Sequence, residues 1–171
     1  ALTISLDGTH SLGLTQDGAA VLWGSPYSNQ AAVTPSLRNL VAIAAGDAHA
    51  LALRADGTVL AWGDNAFGQT NVPVGLNEVV DVSATGNQSL ALRADGTVIA
   101  WGESRTVPSN WTNVATLSGN VGLTTDGRIL KFSGFDPNAS RLTQVFGFAQ
   151  GDGWQMALSG GPAPRLLRSQ R

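Results

Sequence analysis

The thirteen residues Leu51–Gly63, Leu-Ala-Leu-Arg-Ala-Asp-Gly-Thr-Val-Leu-Ala-Trp-Gly, return at Leu90–Gly102 with a single change, Ile99 for Leu60. Looser copies flank them. Leu12–Gly24 keeps the Asp-Gly and Trp-Gly pairs, and Val121–Gly134 keeps Leu-x-x-Asp-Gly with Phe132 in the tryptophan's place. Asp17, Asp56 and Asp95 are spaced by 39 residues, and Asp126 follows by 31. A fixed period of this size restricts the chain to architectures in which one small unit is stacked on its neighbours, because a single unit cannot bury its own apolar faces.

Each unit reads as strands. His49-Ala50-Leu51-Ala52-Leu53 alternates small and large, and Thr58–Trp62 sets Leu60 and Trp62 against Val59 and Ala61, the two-residue period of a pleated strand. Asp-Gly between two such runs signals a hairpin, since glycine accepts φ > 0 and aspartate tolerates it. A third run precedes each hairpin, at Val41–Ala45, Val79–Ala84, Val114–Leu117 and Val145–Ala149. Both faces of every unit are apolar, so each three-stranded antiparallel sheet must lie between others. Trp and Leu are expected to pack onto the Ala/Val face of the next sheet.

The expected architecture is therefore all-β, a β-propeller or a partial propeller arc of about five three-stranded antiparallel blades. The repeats occupy residues 1–160, at about 2–40, 41–78, 79–113, 114–144 and 145–160. Gly160-Gly161-Pro162-Ala163-Pro164 is expected to end the fifth sheet after two strands, leaving 161–171 as a tail or linker. The chain, with 171 residues, thus reads as a piece of a longer propeller, or as one completed by self-association or by further blades, with a five-bladed ring as competitor.

A formal net charge of −2 gives no electrostatic case for nucleic acid as partner, and no apolar run has the length of a membrane span. With no cysteine, thiolate metal sites and cysteine nucleophiles are excluded. No nucleophile elbow, phosphate-binding glycine spacing or calcium ladder is present. The expected chain is not an enzyme and carries no cofactor or metal.

The run Gly46–Gln69, Gly-x-x-His-x-Leu-Ala-Leu-x-x-Asp-Gly-x-Val-x-Ala-Trp-Gly-Asp-Asn-x-Phe-Gly-Gln, resembles the repeat of the regulator of chromosome condensation family. The ending Gln69-Thr70-Asn71-Val72-Pro73 is similar to that family's bacterial short-repeat branch, which includes a secreted β-lactamase inhibitory protein with three-stranded blades. The resemblance spans about residues 2–159 and implies a propeller. It also implies a bacterial, extracellular, cell-surface or periplasmic setting. The implied function is a non-catalytic scaffold whose loops bind a protein or a glycan, within a larger protein. The alternatives are an inhibitor of a secreted hydrolase and an accessory domain of an enzyme whose catalytic part lies elsewhere. Inhibitory relatives bind through aromatics just before the repeat histidine. Those slots here hold Thr9, Ala48 and Asn87, and Phe67 alone fits the inhibitor-like pattern.

The candidate binding residues are Tyr27, Asp64, Asn65, Phe67, Arg105, Trp111 and Trp154, on connections or at a degenerate strand start. For the aromatics among them, packing over blade edges is the equal alternative. Asp17, Gly18, Asp56, Gly57, Asp95, Gly96, Asp126 and Gly127 are turn residues, and Trp23, Trp62 and Trp101 are core residues in equal phase. His10 and His49 share one repeat position, seven residues before Asp-Gly, that Gln88 fills in the third copy. A structural role for the histidines follows. We expect His10→Gln or His49→Gln to leave ligand binding intact, and loss of a bound metal in either variant would contradict this.

Overall fold

The computed structural model of the chain describes residues 3–7, 10–24, 37–103, 106–131, 145–151, 154–159 and 165–168. They form five three-stranded antiparallel sheets, each a meander in chain order. The first holds β1 (Thr3–Asp7), β2 (His10–Leu14) and β3 (Ala20–Gly24). The second holds β4 (Leu40–Ala45), β5 (His49–Arg54) and β6 (Val59–Gly63), and the third β7 (Val79–Thr85), β8 (Gln88–Arg93) and β9 (Val98–Gly102). The fourth holds β10 (Val114–Ser118), β11 (Val121–Thr124) and β12 (Ile129–Lys131), and the fifth β13 (Val145–Gly151), β14 (Trp154–Ser159) and β15 (Arg165–Arg168). The principal contacts between sheets join consecutive ones, through β1, β4, β7, β10 and β13.

The fifth sheet corrects the reading of its sequence. Arg165–Arg168 is not a tail: it pairs with β14 from Met156↔Arg168 to Ser159↔Arg165. Gly160–Pro164 separates two strands rather than ending the sheet. Antiparallel pairing is backbone chemistry, and Arg-Leu-Leu-Arg supplies the donors and acceptors without the Val-x-Ala-Trp pattern.

The Asp-Gly hairpins form as expected, but without using the left-handed tolerance of the aspartate. In the first repeat Gly18 N–H bonds Thr15 C=O at 3.1 Å and Thr15 N–H bonds Ala19 C=O at 2.9 Å. Arg54–Thr58, Arg93–Thr97 and Thr124–Arg128 repeat the pattern. This is a type I turn closed by a glycine bulge. Only the glycine is left-handed, with φ of 75°, 83°, 81° and 82° at Gly18, Gly57, Gly96 and Gly127. The aspartate instead accepts hydrogen bonds: Asp56 Oδ1 from Thr58 N–H at 2.9 Å, and Asp95 Oδ1 from Thr97 N–H at 2.9 Å and its hydroxyl at 2.6 Å. In the outer copies the hydroxyl comes from the other side of the turn, Thr15 to Asp17 and Thr124 to Asp126. These bonds hold all four carboxylates below the usual range, led by the Thr15, Thr97 and Thr124 hydroxyls at Asp17, Asp95 and Asp126 and by the Thr58 N–H at Asp56. The same turns fasten neighbouring sheets, since Gly18 C=O accepts from Leu40 N–H at 3.1 Å and Gly96 C=O from Val114 N–H at 3.3 Å.

Three apolar cores lie between the first four sheets. Leu12, Leu14, Ala20 and Leu22 cluster with Ile43, Ala45, Ala50, Ala52, Leu60 and Trp62. Leu51, Leu53, Val59 and Ala61 cluster with Val82, Ala84, Ala91, Ile99 and Trp101. Leu90, Leu92, Val98 and Ala100 cluster with Trp111, Leu117 and Leu130. The alternation is as read from sequence, but its direction is reversed. Trp62 and Trp101 pack back onto the preceding sheet, and the face toward the following sheet carries the central-strand leucines.

That direction explains a second departure. Trp101 is 4% exposed and Trp62 half-buried, whereas Trp23 is 47% exposed beside Val21 at 47%. The residues of β3 that face the second sheet are Ala20 and Leu22, which leaves Trp23 on the opposite face, over Gly13 of β2. Trp23 is therefore not a core residue of these five sheets. We expect Trp101→Ala to cost about 3–5 kcal/mol, the range for emptying a buried aromatic site. Trp23→Ala should cost about 1 kcal/mol or less, as at exposed positions. Urea unfolding of the two variants checks the contrast, and equal costs would contradict the packing described.

Candidate binding surface

The sheets present two ends. At one lie the Asp-Gly turns. A groove of about 740 Å³ opens there between the first two turns, lined by Thr15, Asp17, Arg38, Val41, Arg54 and Asp56 among others. Each inner strand of sheets two to five carries a register shift beside its first residue, between Leu40/Ala42, Val79/Asp81, Val114/Thr116 and Val145/Gly147. These bulges turn Val41 and Val80 outward, at 52% and 54% exposure. Around the next turn, Arg93 pairs with Glu78 at 3.4 Å and Asp95 at 3.8 Å. Both pairs are solvent-exposed and contribute little stability.

At the other end the β4–β5 and β7–β8 turns meet the connection that leaves β6. Asp47 N–H bonds Gly86 C=O at 3.0 Å, Asp64 N–H bonds Ala48 C=O at 2.8 Å, and Glu103 N–H bonds Asn87 C=O at 3.1 Å. The connection itself is cross-braced. Gly68 N–H bonds Asn65 C=O at 3.0 Å, Thr70 N–H bonds Asn65 Oδ1 at 3.0 Å, and Asn65 Nδ2 donates to Asn71 Oδ1 at 2.9 Å.

Gln69 centres the arrangement and is fully buried. Its Nε2 donates to Asp64 Oδ2 at 2.8 Å, and its Oε1 accepts from Phe67 N–H at 2.9 Å. Its main-chain carbonyl accepts from Trp101 Nε1 at 2.8 Å and from Ser89 Oγ at 2.8 Å. His49 Nε2 lies 2.9 Å from the same hydroxyl. Because Ser89 commits its one proton to Gln69, the imidazole must donate from Nε2, which fixes the tautomer. His49, Gln69 and Ser89 are each 0% exposed. Gly46 makes room for the ring, since a methyl group there would run into the imidazole. This buried clasp ties the second sheet to the third and fixes the loop above it. It places His49 in structure rather than chemistry.

Phe67 stands on that loop, 49% exposed, with its own N–H anchored to Gln69. Asn65 is exposed and Asp64 half-buried beside it. Of the residues expected to form the surface, these three come together. Trp111 does not join them: it is 5% exposed, packs over Gly122 and donates from Nε1 to Lys131 C=O at 3.4 Å. The fourth sheet has no tryptophan in its outer strand, and Trp111 fills that part of the core instead. Tyr27 and Arg105 lie outside the described residues, and Trp154 is placed only as the first residue of β14.

Asp81 went unread in the sequence. It sits in β7 at the third strand position, where the second repeat has Ala42. Its Oδ2 accepts from Thr116 Oγ1 and Leu117 N–H of the fourth sheet, both at 3.0 Å, and its Oδ1 from Val82 N–H at 2.9 Å. Burial pushes its carboxyl above the ordinary value against these three bonds. A lone aspartate in an apolar strand, opposite a threonine one repeat later, was the available signal.

A family model for the regulator of chromosome condensation (RCC1) repeat matches residues 40–69, the segment that carries His49, Gln69 and Phe67. Among curated proteins none matches the chain. Solved structures share its fold. The ectodomain of the receptor kinase CR4 of Physcomitrella patens is 22% identical, with a TM-score of 0.73 over 96% of this chain and 49% of that one. The CRINKLY WD40 ectodomain of the Arabidopsis thaliana receptor kinase ACR4 is 18% identical, with a TM-score of 0.71 over 95% and 63%. Prp20p of Saccharomyces cerevisiae, described with binding properties to Gsp1p and histones, is 17% identical, with a TM-score of 0.68 over 97% and 57%. The chain thus spans about half to three-fifths of the length of these structures. The class is an all-β, propeller-type fold of three-stranded antiparallel sheets, with one repeat matching the regulator of chromosome condensation type.

The pH dependence of stability has two opposed parts. The turn aspartates have folded-state values below their unfolded ones. Their contribution is present above the ordinary value of 3.8 and is lost as pH falls through the lowered range. Asp81 has the opposite sign, so its charged form loses stability on folding and acidification toward 3.8 relieves it. Urea titrations of the parent and Asp81→Asn across that interval should show the parent gaining on the variant as pH falls. A constant difference would contradict the buried carboxylate.

Proposed function

We propose that the chain is a non-catalytic binding module whose ligand surface is the end formed by the 46–48 and 86–87 turns and the 64–71 connection. Phe67 is its anchor. The observation that carries this reading is an aromatic side chain half-exposed on a loop that is braced internally and tied by Asp64 N–H to the second sheet and by Gln69 C=O to the third. An exposed aromatic on a pre-organised loop binds without a large ordering cost, which is how a few such residues come to dominate an interface. The reading extends to a protein or glycan ligand and to a larger extracytoplasmic bacterial protein as the setting. Both rest on the likeness of the repeats.

The test is a binding screen of extracellular proteins and glycan arrays against the immobilised chain, repeated with Phe67→Ala and, at the opposite end, with Val41→Ser/Val80→Ser. Phe67→Ala should weaken a captured ligand by tenfold or more, about 1.4 kcal/mol, with an unchanged melting temperature. Loss of the ligand in the valine variant and not in Phe67→Ala would move the surface to the Asp-Gly end.

A further inference from the structure

The groove between the first two Asp-Gly turns departs from the repeat in the two residues that precede the inner strand. Arg54 and Arg93 occupy one repeat position. Each ends its central strand opposite the first residue of the inner strand, as Leu40↔Arg54 and Val79↔Arg93. In the third sheet Arg93 is clamped by the residues just before β7. Its Nε donates to Asn77 C=O at 3.3 Å, its Nη2 donates to Asn77 Oδ1 at 2.9 Å, and Glu78 lies 3.4 Å away. The same two places before β4 hold Arg38 and Asn39. The backbone is alike in both, since Asn39 and Glu78 are left-handed with φ of 59° and 54°. The exchange therefore takes away a carboxylate and brings a second guanidinium to the groove that Arg54 lines.

We infer that this groove is a second binding site, at the end of the molecule opposite Phe67, and that its ligand is a protein segment carrying a carboxylate next to an apolar side chain. Guanidinium groups take carboxylates through paired hydrogen bonds, and Arg38 and Arg54 both line the space. Val41, 52% exposed above the buried Leu14 and Leu40, supplies the apolar contact. A volume of about 740 Å³ is that of a small-ligand cleft and holds a few residues of chain. Asp17 and Asp56 line the same groove and set the limit on its ligand. The Thr15 hydroxyl at Asp17 and the Thr58 N–H at Asp56, joined by the charges of Arg38 and Arg54, keep both ionised at neutral pH. The lining charges then cancel, so the groove accepts one carboxylate and repels a polyanion. At the next turn Arg93 already pairs with Glu78 and Asp95, and an added carboxylate meets an excess of its own sign. Like charges placed where the neighbouring repeat sets opposite ones are a local conflict of the kind that binding sites carry.

The probe is the peptide acetyl-Leu-Glu-Leu-amide, compared with its glutamine analogue, glucuronate and inorganic phosphate. Each is titrated to millimolar concentration against the whole chain, and NMR follows the arginine Nε–H groups and the valine methyls. The peptide should shift Arg38, Arg54 and Val41 and leave Arg93 in place, and the glutamine analogue should bind about tenfold more weakly. The paired substitution Arg38→Asn/Asn39→Glu installs the third repeat's residues on a backbone that already takes them. It should lower the affinity by about tenfold with an unchanged melting temperature. The reverse exchange, Asn77→Arg/Glu78→Asn, should create a second response at Arg93 and Val80. Phe67→Ala should alter neither. Equal binding of the two peptides, an unaltered affinity in the Arg38→Asn/Asn39→Glu chain, or no shift with the peptide overturns the inference. So does glucuronate or phosphate binding as tightly as the peptide, which makes the groove a site for an acidic glycan or a phosphate group instead.

Discussion

A three-stranded sheet of five-residue strands has two faces and no interior, and every other feature of this chain answers to that fact. Stability arises between units. The cores between the first four sheets repeat one contact, the outer-strand tryptophan or leucine of one sheet under the central leucines of the sheet before. Because one sheet gives and the other receives, the contact has a direction, and Trp23 and Val21 lie on the face of the first sheet that is turned away from the second.

Hydrogen bonds set the spacing that this packing needs. Each Asp-Gly turn commits its carboxylate to its own loop, and the first and third give the glycine carbonyl to the next sheet, Gly18 to Leu40 and Gly96 to Val114. The third core adds Asp81, whose carboxylate gathers a hydroxyl and an N–H from across the joint and the N–H of its own neighbour Val82. These polar contacts position the sheets and do not replace the apolar contact. The same division holds at the binding end, where the Gln69 clasp holds the loop in place and leaves Phe67 outside it. A residue so deeply hydrogen-bonded as Gln69 is poor at recognition, and one so exposed as Phe67 contributes little to folding.

The period and the alternation of Leu, Ala and Trp made the sheets legible, because strand pairing and two-sided burial leave a direct imprint on sequence. What stayed hidden depended on direction or on unlike partners. Alternation shows that Trp23 and Trp62 share a phase, but not which neighbour each one faces. Hence Trp23 read as core. Trp111 lies in a connection with no phase at all, and only the missing tryptophan of the fourth outer strand gives it a place. The β15 strand has no pattern to read, because its pairing uses backbone groups alone. The clasp joins residues 20 and 40 positions apart, and its serine is present in the first and third copies only. No local rule connects them.

Those alternating serines bear on how such a chain diverges. A repeat that is only stacked tolerates drift wherever its neighbours still fit, and Ala50 shows that an inter-sheet joint survives without the serine hydroxyl. The clasp lies beneath the loop that carries the exposed Phe67, where a shift of the Gln69 carbonyl would move Phe67 with it. The Trp62 indole nitrogen is buried without a hydrogen-bond partner among the described residues, while that of Trp101 donates to the Gln69 carbonyl. An unmet buried donor costs about 1–3 kcal/mol. In the joint below Phe67 the indole donor is met by the Gln69 carbonyl, which belongs to the loop that carries Phe67.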